Sequence, residues 1–506
     1  MASRNKVFWI GRPPQEALTR EFRCRDIELD TETFSRLSLE SVEAERLISQ
    51  ELGAVLVHDR AKLSRTISFL RQAIDAPVRH SGARVCVVAE ESSEINKILS
   101  KFVGKSGQPE FQREHDVRFV ILNTRGYSDF ARYFSTPDPG SAPNFDLSIN
   151  PASFFSRSET TLLQRSFSDC ESVVIRRLVD QGFSARVYLA YPRFGLDVQR
   201  ARSLPFLVKF DKTKDIEREL NYYETYVNHY VPFNLRPNLD RSRCFLSGDL
   251  GILVANYVDR AVPLLEAVDK GTGPNAIHCL FEESLDQWFR NSERRDGSPI
   301  KTLLTLFDRE KFEKNPEVLQ TAAELGPTAK PTELVESLQA IRCEFYLYGM
   351  SHRDLHARNV LVKGSDAIVI DFSKCDSGPI LVDLATLDVT IAFGSVFLND
   401  NASAGKFDLW VEFIKEIYNY KRVMKLPEAR EGFEPFARQW SCIRQIRRFA
   451  LMERTDRLEF AICLAIALLR HSAFVDDNTI GVKVAAYAYY LCSELVREIQ
   501  AAGSSS

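Results

Sequence analysis

The sequence has few cysteines, and no two of them are close together. Ten cysteines are spread singly over 506 residues, from Cys24 to Cys492, and no C-x-x-C pair occurs. Structural zinc sites and disulfide frameworks both need closely or regularly spaced cysteines. The pattern therefore argues against both and predicts reduced, mostly buried thiols, as in a cytoplasmic protein.

Long apolar runs are also missing. The longest, residues 460–469, is about half of the roughly 20 residues that span a bilayer, so it predicts a buried helix. The apolar stretch before Gly11 is too short for a signal peptide. We therefore expect a cytoplasmic location and no membrane partner.

A third absence is an excess of charge of one sign. The 66 Lys and Arg residues against 69 Asp and Glu give a formal net charge of −3, so there is no clear nucleic-acid signal. A hydrophobic content of 44% and a charged content of 27% are typical of globular proteins. A chain of this length predicts two or three domains.

Short β-like runs alternate with helix-compatible segments at the start of the chain. The runs are 7–10, 26–29, 54–58, 84–89 and 117–122, and the segments between them include 41–52, 61–73 and 92–102. This alternation predicts βα units around a mainly parallel sheet. Residues 1–132 thus resemble a flavodoxin-like or response-regulator-receiver-like α/β domain. Residues 133–160, which are rich in proline, predict a linker.

The pattern changes after the linker. Residues 161–260 are rich in strand-like runs, and residues 261–506 are mainly helical. A small β-rich lobe followed by a large helical lobe is the outline of a bilobal α+β kinase.

The segment SHRDLHARNVLV, residues 351–362, carries the strongest chemical pattern. Asp354 and Asn359 are five residues apart, the spacing by which one loop orients an attacking hydroxyl and holds Mg²⁺. Asp371 follows the apolar run AIVI and is expected to reach the same metal ion. We predict Asp354 as the catalytic base, with Asn359 and Asp371 as metal ligands.

Weaker signals for a nucleotide lie upstream. Gly182, Ser184 and Ala185 form a turn of small residues between two apolar runs, where backbone N–H groups can approach phosphate oxygens. Taken alone, a single glycine between two strands is more often just a hairpin turn.

A strand lysine and a helix glutamate complete the predicted nucleotide site. Lys209 ends the run FLVK, and Glu219 is our choice for its partner, with Glu217 as the rival. The run GILVANYV is interpreted as a hinge strand, in which Asn256 and Val258 are candidate nucleotide contacts.

The order of these motifs resembles the protein-kinase-like superfamily over about residues 165–490. The loop is similar to that of tyrosine kinases and to the H-G-D-L-H-x-x-N loop of aminoglycoside phosphotransferases and choline kinases, with Arg353 in place of glycine. Two features favour the second group: His356, and the short distance from Asp371 to Asp383, which leaves no room for an activation segment. The chain most resembles the bacterial phosphotransferase-like group called ternary complex associated domain.

This resemblance implies further roles. Asp383 would stabilise the catalytic loop, and helices within residues 260–340 would contact the phosphoacceptor. The candidates there are Glu282, Glu283, Asp286 and Trp288. For each of them, a solvated helix face with one aromatic packed beneath is the favoured alternative.

Asp59 ends the third predicted strand, where a receiver domain has its phosphoacceptor aspartate. The acidic pair and the lysine of a working receiver are missing from the first and fifth strands. We therefore expect a degenerate receiver-like domain that either regulates or recruits a protein partner through residues 1–132, and the missing switch residues favour recruitment.

The sequence predicts a Mg·ATP-dependent phosphotransferase that acts on a hydroxyl of a small molecule or a protein. Two alternatives remain open: a non-catalytic nucleotide-binding module, that is, a pseudokinase, and a protein kinase.

Overall fold

The structure is a computed structural model. It describes residues 4–39, 41–73, 76–102, 117–121, 126–135, 140–178, 186–194, 204–307, 315–394, 404–424, 432–453, 456–473 and 479–503. The chain divides into two compact units. The first comprises Met1–Leu220 and Asn238–Tyr257, and the second comprises Asn221–Pro237 and Val258–Ser506.

A parallel five-stranded sheet opens the first unit, as predicted. Its strands are β1 (Lys6–Ile10), β2 (Glu28–Asp30), β3 (Gly53–Val57), β4 (Arg84–Val88) and β5 (Arg118–Val120), in the order β2-β1-β3-β4-β5. The helices are α1 (Glu16–Arg23), α2 (Thr33–Arg36), α3 (Val42–Gln50), α4 (Leu63–Ala73), α5 (Ala76–His80), α6 (Ser92–Leu99) and α7 (Tyr127–Ser135). This strand order is that of doubly wound flavodoxin-like sheets.

Both faces of this sheet are buried. Phe8 and Ile10 of β1 belong to one apolar cluster, whereas Val7 and Trp9 belong to another. Because successive side chains of a strand point to opposite faces, the two clusters lie on opposite sides of the sheet. This explains why the strands are nearly continuous apolar runs.

A six-stranded sheet follows in the same unit. It contains β6 (Ser148–Asn150), β7 (Cys170–Arg177), β8 (Arg186–Phe194), β9 (Phe206–Lys212), β10 (Phe245–Ser247) and β11 (Leu250–Asn256), in the order β10-β11-β9-β8-β7-β6. Helix α8 (Arg157–Ser166) contributes Leu162 and Leu163 to the core of this sheet, and α9 (Thr213–Tyr222) follows β9. Part of the segment predicted as a linker, residues 133–160, therefore forms secondary structure: the end of α7, all of β6 and the start of α8.

The two sheets of the first unit are joined by specific contacts. Arg165 of α8 is buried, and its guanidinium donates hydrogen bonds to the carbonyls of His80 (2.9 Å) and Ser141 (3.1 Å). The hydroxyl of Ser247 in β10 donates to the carbonyl of Arg79 at 2.6 Å. The parallel-sheet region thus docks on α8 and on the β10–β11 hairpin through α5.

The second unit is mainly helical with two small sheets. Its strands are β12 (Val262–Pro263), β13 (Glu293–Asp296), β14 (Phe345–Ser351), β15 (Val360–Lys363), β16 (Asp366–Val369) and β17 (Asp376–Pro379), which form the sheets β12-β15-β16 and β13-β14-β17. Its helices are α10 (Leu264–Asp269), α11 (Gly273–Cys279), α12 (Asp286–Arg290), α13 (Ile300–Leu304), α14 (Pro316–Leu325), α15 (Pro331–Ala340), α16 (Leu381–Ala392), α17 (Ala404–Ile417), α18 (Ala437–Met452), α19 (Arg457–Ser472) and α20 (Thr479–Gly503).

Helix α19 is the centre of the second unit. Residues 460–469 are all buried, and α19 packs against α16 and α20. The longest apolar run is therefore a buried helix, as predicted. In the part of the chain that the structure describes, no helix combines the length and the apolar character needed to cross a membrane. All ten cysteines are free thiols, and most are buried.

Candidate active site

The predicted catalytic loop connects β14 to β15 in the second unit. Arg353 has a left-handed backbone (φ 61°), which is uncommon for a residue other than glycine. The carboxylate of Asp383, near the start of α16, accepts hydrogen bonds from the N–H groups of His352 (2.7 Å) and Arg353 (2.8 Å). Asp383 thus fixes the strained turn, which is the structural role that the resemblance implies.

Two cations hold the carboxylate of Asp354. Arg470 of α19 donates to Oδ1 at 2.8 Å, and Lys374 donates to Oδ2 at 2.7 Å. Burial by itself would raise the pKa of Asp354, but the charges of Lys374 and Arg470 outweigh it and lower the pKa to about 2. Asp354 is therefore ionised at neutral pH.

Asn359 is fully buried beside Asp354. Its Nδ2 donates to the Asp354 carbonyl at 2.9 Å, whereas its Oδ1 has no hydrogen-bond partner among the described residues. A buried amide oxygen without a hydrogen-bond partner costs folding free energy unless a ligand supplies that partner. The Asn359 carbonyl also accepts from the N–H of Ile370 at 2.9 Å, which brings the residue preceding Asp371 next to the loop.

These residues fit a magnesium ion. Asp371 directly follows Ile370 and has a left-handed backbone (φ 60°), a strain that is typical of functional positions. Mg²⁺ in phosphate-handling sites takes one or two protein oxygens and completes its shell with phosphates and water. Among the described residues, no group of three or more His, Cys, Asp or Glu side chains could hold a metal by itself. Asn359 and Asp371 therefore suit a metal that arrives with a phosphate.

His356 follows Asp354 in the same loop and is neutral. Burial lowers its pKa, and the charge of Asp354 opposes that effect only in part. The backbone N–H of His356 donates to the Asp354 carbonyl at 2.8 Å. This imidazole therefore adds no cation beside the predicted base.

In the first unit, Lys209 of β9 forms an ion pair with Glu219 of α9. The distance from Nζ to Oε2 is 2.7 Å, and both side chains are largely buried. Glu217 is exposed, because it lies two positions from the buried Glu219 and therefore points about 200° away around the helix. The structure therefore pairs Lys209 with Glu219 and not with Glu217.

The remaining predicted nucleotide contacts are less informative. Gly182, Ser184 and Ala185 lie outside the described residues. Asn256 is exposed at the end of β11 in the first unit, and its side-chain oxygen accepts a hydrogen bond from the N–H of Asn238. Val258 follows it as part of the second unit. Their roles stay predictions.

The predicted acceptor residues form an ordinary helix surface. Asp286 pairs with Arg290 and Glu282 with His278, each within one helical turn, and Glu283 is exposed. Trp288 is buried, and its indole N–H donates to the Tyr226 carbonyl at 2.9 Å. These contacts agree with the favoured alternative, a solvated face with one aromatic packed beneath.

Sequence reasoning missed Lys374 and Arg470. Lys374 comes three residues after Asp371, and Arg470 is the first charged residue after the apolar run 460–469. A charged side chain at the end of a buried helix indicates a partner of opposite charge, because an unpaired buried charge is costly. Nothing in the sequence pattern identifies this partner as Asp354, which lies 116 positions away.

Asp59 lies in the first unit, just beyond β3. Its side chain is exposed, and its Oδ1 accepts from the N–H of Ala61 at 3.0 Å, which caps a short 3₁₀ turn at Arg60–Lys62. This contact gives Asp59 a local structural role.

Residues 283–470 match the family model described as Ternary complex associated domain 9. The matched segment contains the catalytic loop, Asp371, Lys374 and Arg470. The match confirms the resemblance predicted from the sequence. No curated protein matches the chain.

Several solved structures are similar to this chain. A thermostable mutant of an aminoglycoside phosphotransferase with ADP and hygromycin B is 14% identical and covers 66% of this chain and 96% of its own, with a TM-score of 0.35. An ethanolamine kinase from Plasmodium vivax is 10% identical over 81% of this chain and 97% of its own, with a TM-score of 0.32. A choline kinase from Cryptosporidium parvum is 10% identical over 66% and 90%, with a TM-score of 0.27.

Proposed function

We propose that this protein is a Mg·ATP-dependent phosphotransferase that transfers the γ-phosphate to a hydroxyl group. The observation that carries the proposal is the orphaned Oδ1 of Asn359, buried next to Asp354 and to the strand that leads to Asp371. A metal that binds together with nucleotide phosphates would supply the missing partner. A cytoplasmic location, where ATP is available and thiols stay reduced, is part of the proposal.

Each predicted residue has a distinct task in the proposed reaction. Asn359 and Asp371 hold the magnesium ion, which neutralises phosphate charge. Lys209, oriented by Glu219, binds nucleotide phosphates. Asp354 orients the acceptor hydroxyl and takes its proton late, since the transition state of phosphoryl transfer is loose and needs little help from a strong base. An ionised carboxylate with a low pKa is compatible with that task.

A small-molecule acceptor is favoured over a protein. From Asp371 to the start of α16 the chain contains only β17 and short connections, and all of these residues are described. Protein kinases use a longer activation segment at this point to bind and regulate their protein substrates. The short connection supports an acceptor bound without such a segment.

A pseudokinase is the second candidate, and a specific observation favours it. Both carboxylate oxygens of Asp354 already accept a hydrogen bond from a cation. If Lys374 stays in place, an acceptor hydroxyl must share Oδ2 with an ammonium group. A nucleotide-binding protein without transfer activity would have no need of a free Asp354.

Incubation with γ-labelled ATP and a cell extract separated by molecular weight tests the proposal. We expect Mg²⁺-dependent label in the small-molecule fraction. Label on a protein band would instead indicate a protein kinase. Nucleotide binding without transfer to any fraction would contradict the phosphotransferase and support the pseudokinase.

A further inference from the structure

A cavity of about 580 Å³ opens at the carboxyl edge of the parallel sheet in the first unit. Residues that follow β1 and β3, such as Gly11 and His58, line it. The strand order reverses between β1 and β3, because the chain goes from β1 outward to β2 and then returns to β3 on the other side. Ligands of open α/β sheets bind at this reversal point, and the volume is within the usual range for small molecules.

The turn after β1 leaves the reversal point open. Gly11 has a φ of 118°, and a Cβ at this position would come within 3.1 Å of both the Cβ and the carbonyl oxygen of Val57. Glycine therefore lets the turn lie directly against the end of β3 without a side chain in the cavity.

Three acids line the cavity among the residues that the structure describes, and two of them are already paired. The Glu94 side chain is largely buried. It pairs with Arg60 and accepts hydrogen bonds from the N–H groups of Glu90 (3.0 Å) and Glu91 (3.3 Å). Glu90 forms an ion pair with Arg12 at 3.6 Å. The carboxylates of Glu90 and Glu94 are thus both paired with arginines of the protein itself. Asp59 is the third acid, and it caps the turn at Arg60–Lys62.

Two cations in the wall are left over. Lys62 and Arg65 line the cavity, and neither forms an ion pair with any residue in the part of the chain that the structure describes. Lys62 ends the 3₁₀ turn at Arg60–Lys62, and Arg65 lies three positions on, in the first turn of α4, so the two lie close together along the chain. Thr66 on the next position contributes a hydroxyl 2.8 Å from Nδ1 of His58. The unpaired charge of the wall is thus two cations against one carboxylate.

We propose that this cavity is a binding site for a small phosphate-bearing ligand, separate from the predicted catalytic residues. Lys62 and Arg65 bind the phosphate group, and the polar groups around His58 and Thr66 bind neighbouring atoms. A phosphate dianion matches two cations, and Arg adds a planar pair of donors. A divalent cation does not fit, because Asp59 is the only acid left for it among the described residues of the wall.

Calorimetric titration of pyrophosphate into the full-length protein, without magnesium, tests the proposal. The protein carries Lys209→Met, so that the nucleotide lysine of β9 does not contribute. We expect saturable binding, which Lys62→Gln/Arg65→Gln weakens by about tenfold or more because two charge-assisted contacts are lost. The matched control Lys97→Gln/Lys101→Gln removes two exposed cations of the same sheet region, and should change affinity less than twofold.

Asp59→Asn provides a second variant with an effect of opposite sign. Removing the one unpaired carboxylate should tighten pyrophosphate binding severalfold, which misfolding would not cause. No saturable binding, or equal weakening by the two double variants, would overturn the proposal. Its outcome does not depend on whether the protein transfers phosphate.

Discussion

At the residue scale, the central feature is a carboxylate held by two cations. Arg470 is largely buried and also donates to the Arg353 carbonyl at 2.9 Å, so it fixes the catalytic loop. Lys374 is half exposed and bonds only to the side chain of Asp354 among the described residues. Arg470 therefore positions Asp354, whereas Lys374 can leave when an acceptor arrives.

Replacing Lys374 should change the pH dependence of transfer. The pKa of Asp354 is depressed, so the wild-type rate should be constant through the mildly acidic range and fall only toward pH 2. In Lys374→Gln one cation is gone while burial stays, so the pKa rises and the acid limb moves to higher pH. The pH profile of kcat/KM measures this. Lys363→Gln, an exposed control, should keep the wild-type profile, and an unshifted profile in Lys374→Gln would refute the account.

Lys209 can be tested through nucleotide affinity. Lys209→Met should weaken ATP binding by about tenfold, because the variant lacks the buried cation that is proposed to bind the phosphates. Lys212→Met, an exposed lysine of the same strand, is the matched control. If calorimetry gave Lys209→Met the same ATP affinity as the wild type, the Lys209–Glu219 pair would have a purely structural role.

The residues that sequence reasoning found are those whose signal is local. The spacing within one stretch of chain identifies Asp354, Asn359 and Asp371. To choose Glu219 over Glu217, it is necessary to know which face of the helix each residue occupies. Arg470 was missed because its contact with Asp354 depends on how α19 packs. Asp383 was found only through the family resemblance.

At the element scale, the main feature is the packing of α5 against α8. This specific contact joins the two sheets of the first unit, which a flexible tether would not do. Arg165 carries the contact: its guanidinium bonds to two carbonyls and lies 4.1 Å from the centre of the Phe245 ring. Proline content alone predicted a linker at 133–160, and it gave no hint of β6 or of this contact, since both depend on partners distant in sequence.

Substitution of Arg165 should destabilise the first unit. Arg165→Met removes one hydrogen bond from each of the carbonyls of His80 and Ser141, although Arg4 still donates to the Ser141 carbonyl, and the loss should cost about 2–4 kcal/mol. Urea unfolding measures the difference, with the exposed Arg177→Met as the control. A loss no larger than that of the control would mean that α5 and α8 are held together by other contacts.

At the scale of the whole molecule, the sequence favoured recruitment of a partner by residues 1–132, because the receiver switch residues are missing. The contacts of Arg165 instead favour regulation by docking. Deletion of residues 1–139 should therefore lower the melting temperature of the remaining fragment and change its ATP affinity severalfold. A fragment that binds ATP like the intact chain would return the preference to recruitment.

The most direct test of the proposed phosphotransferase is the Asp354→Asn variant. The amide keeps the shape of the side chain but removes the charge that orients the acceptor hydroxyl and accepts its proton. We expect MgATP binding within a few fold of wild type, and transfer of the γ-phosphate lower by about a thousandfold. Asp408→Asn, the same change on an exposed helix face, should retain both. Transfer by Asp354→Asn at the wild-type rate would contradict the account.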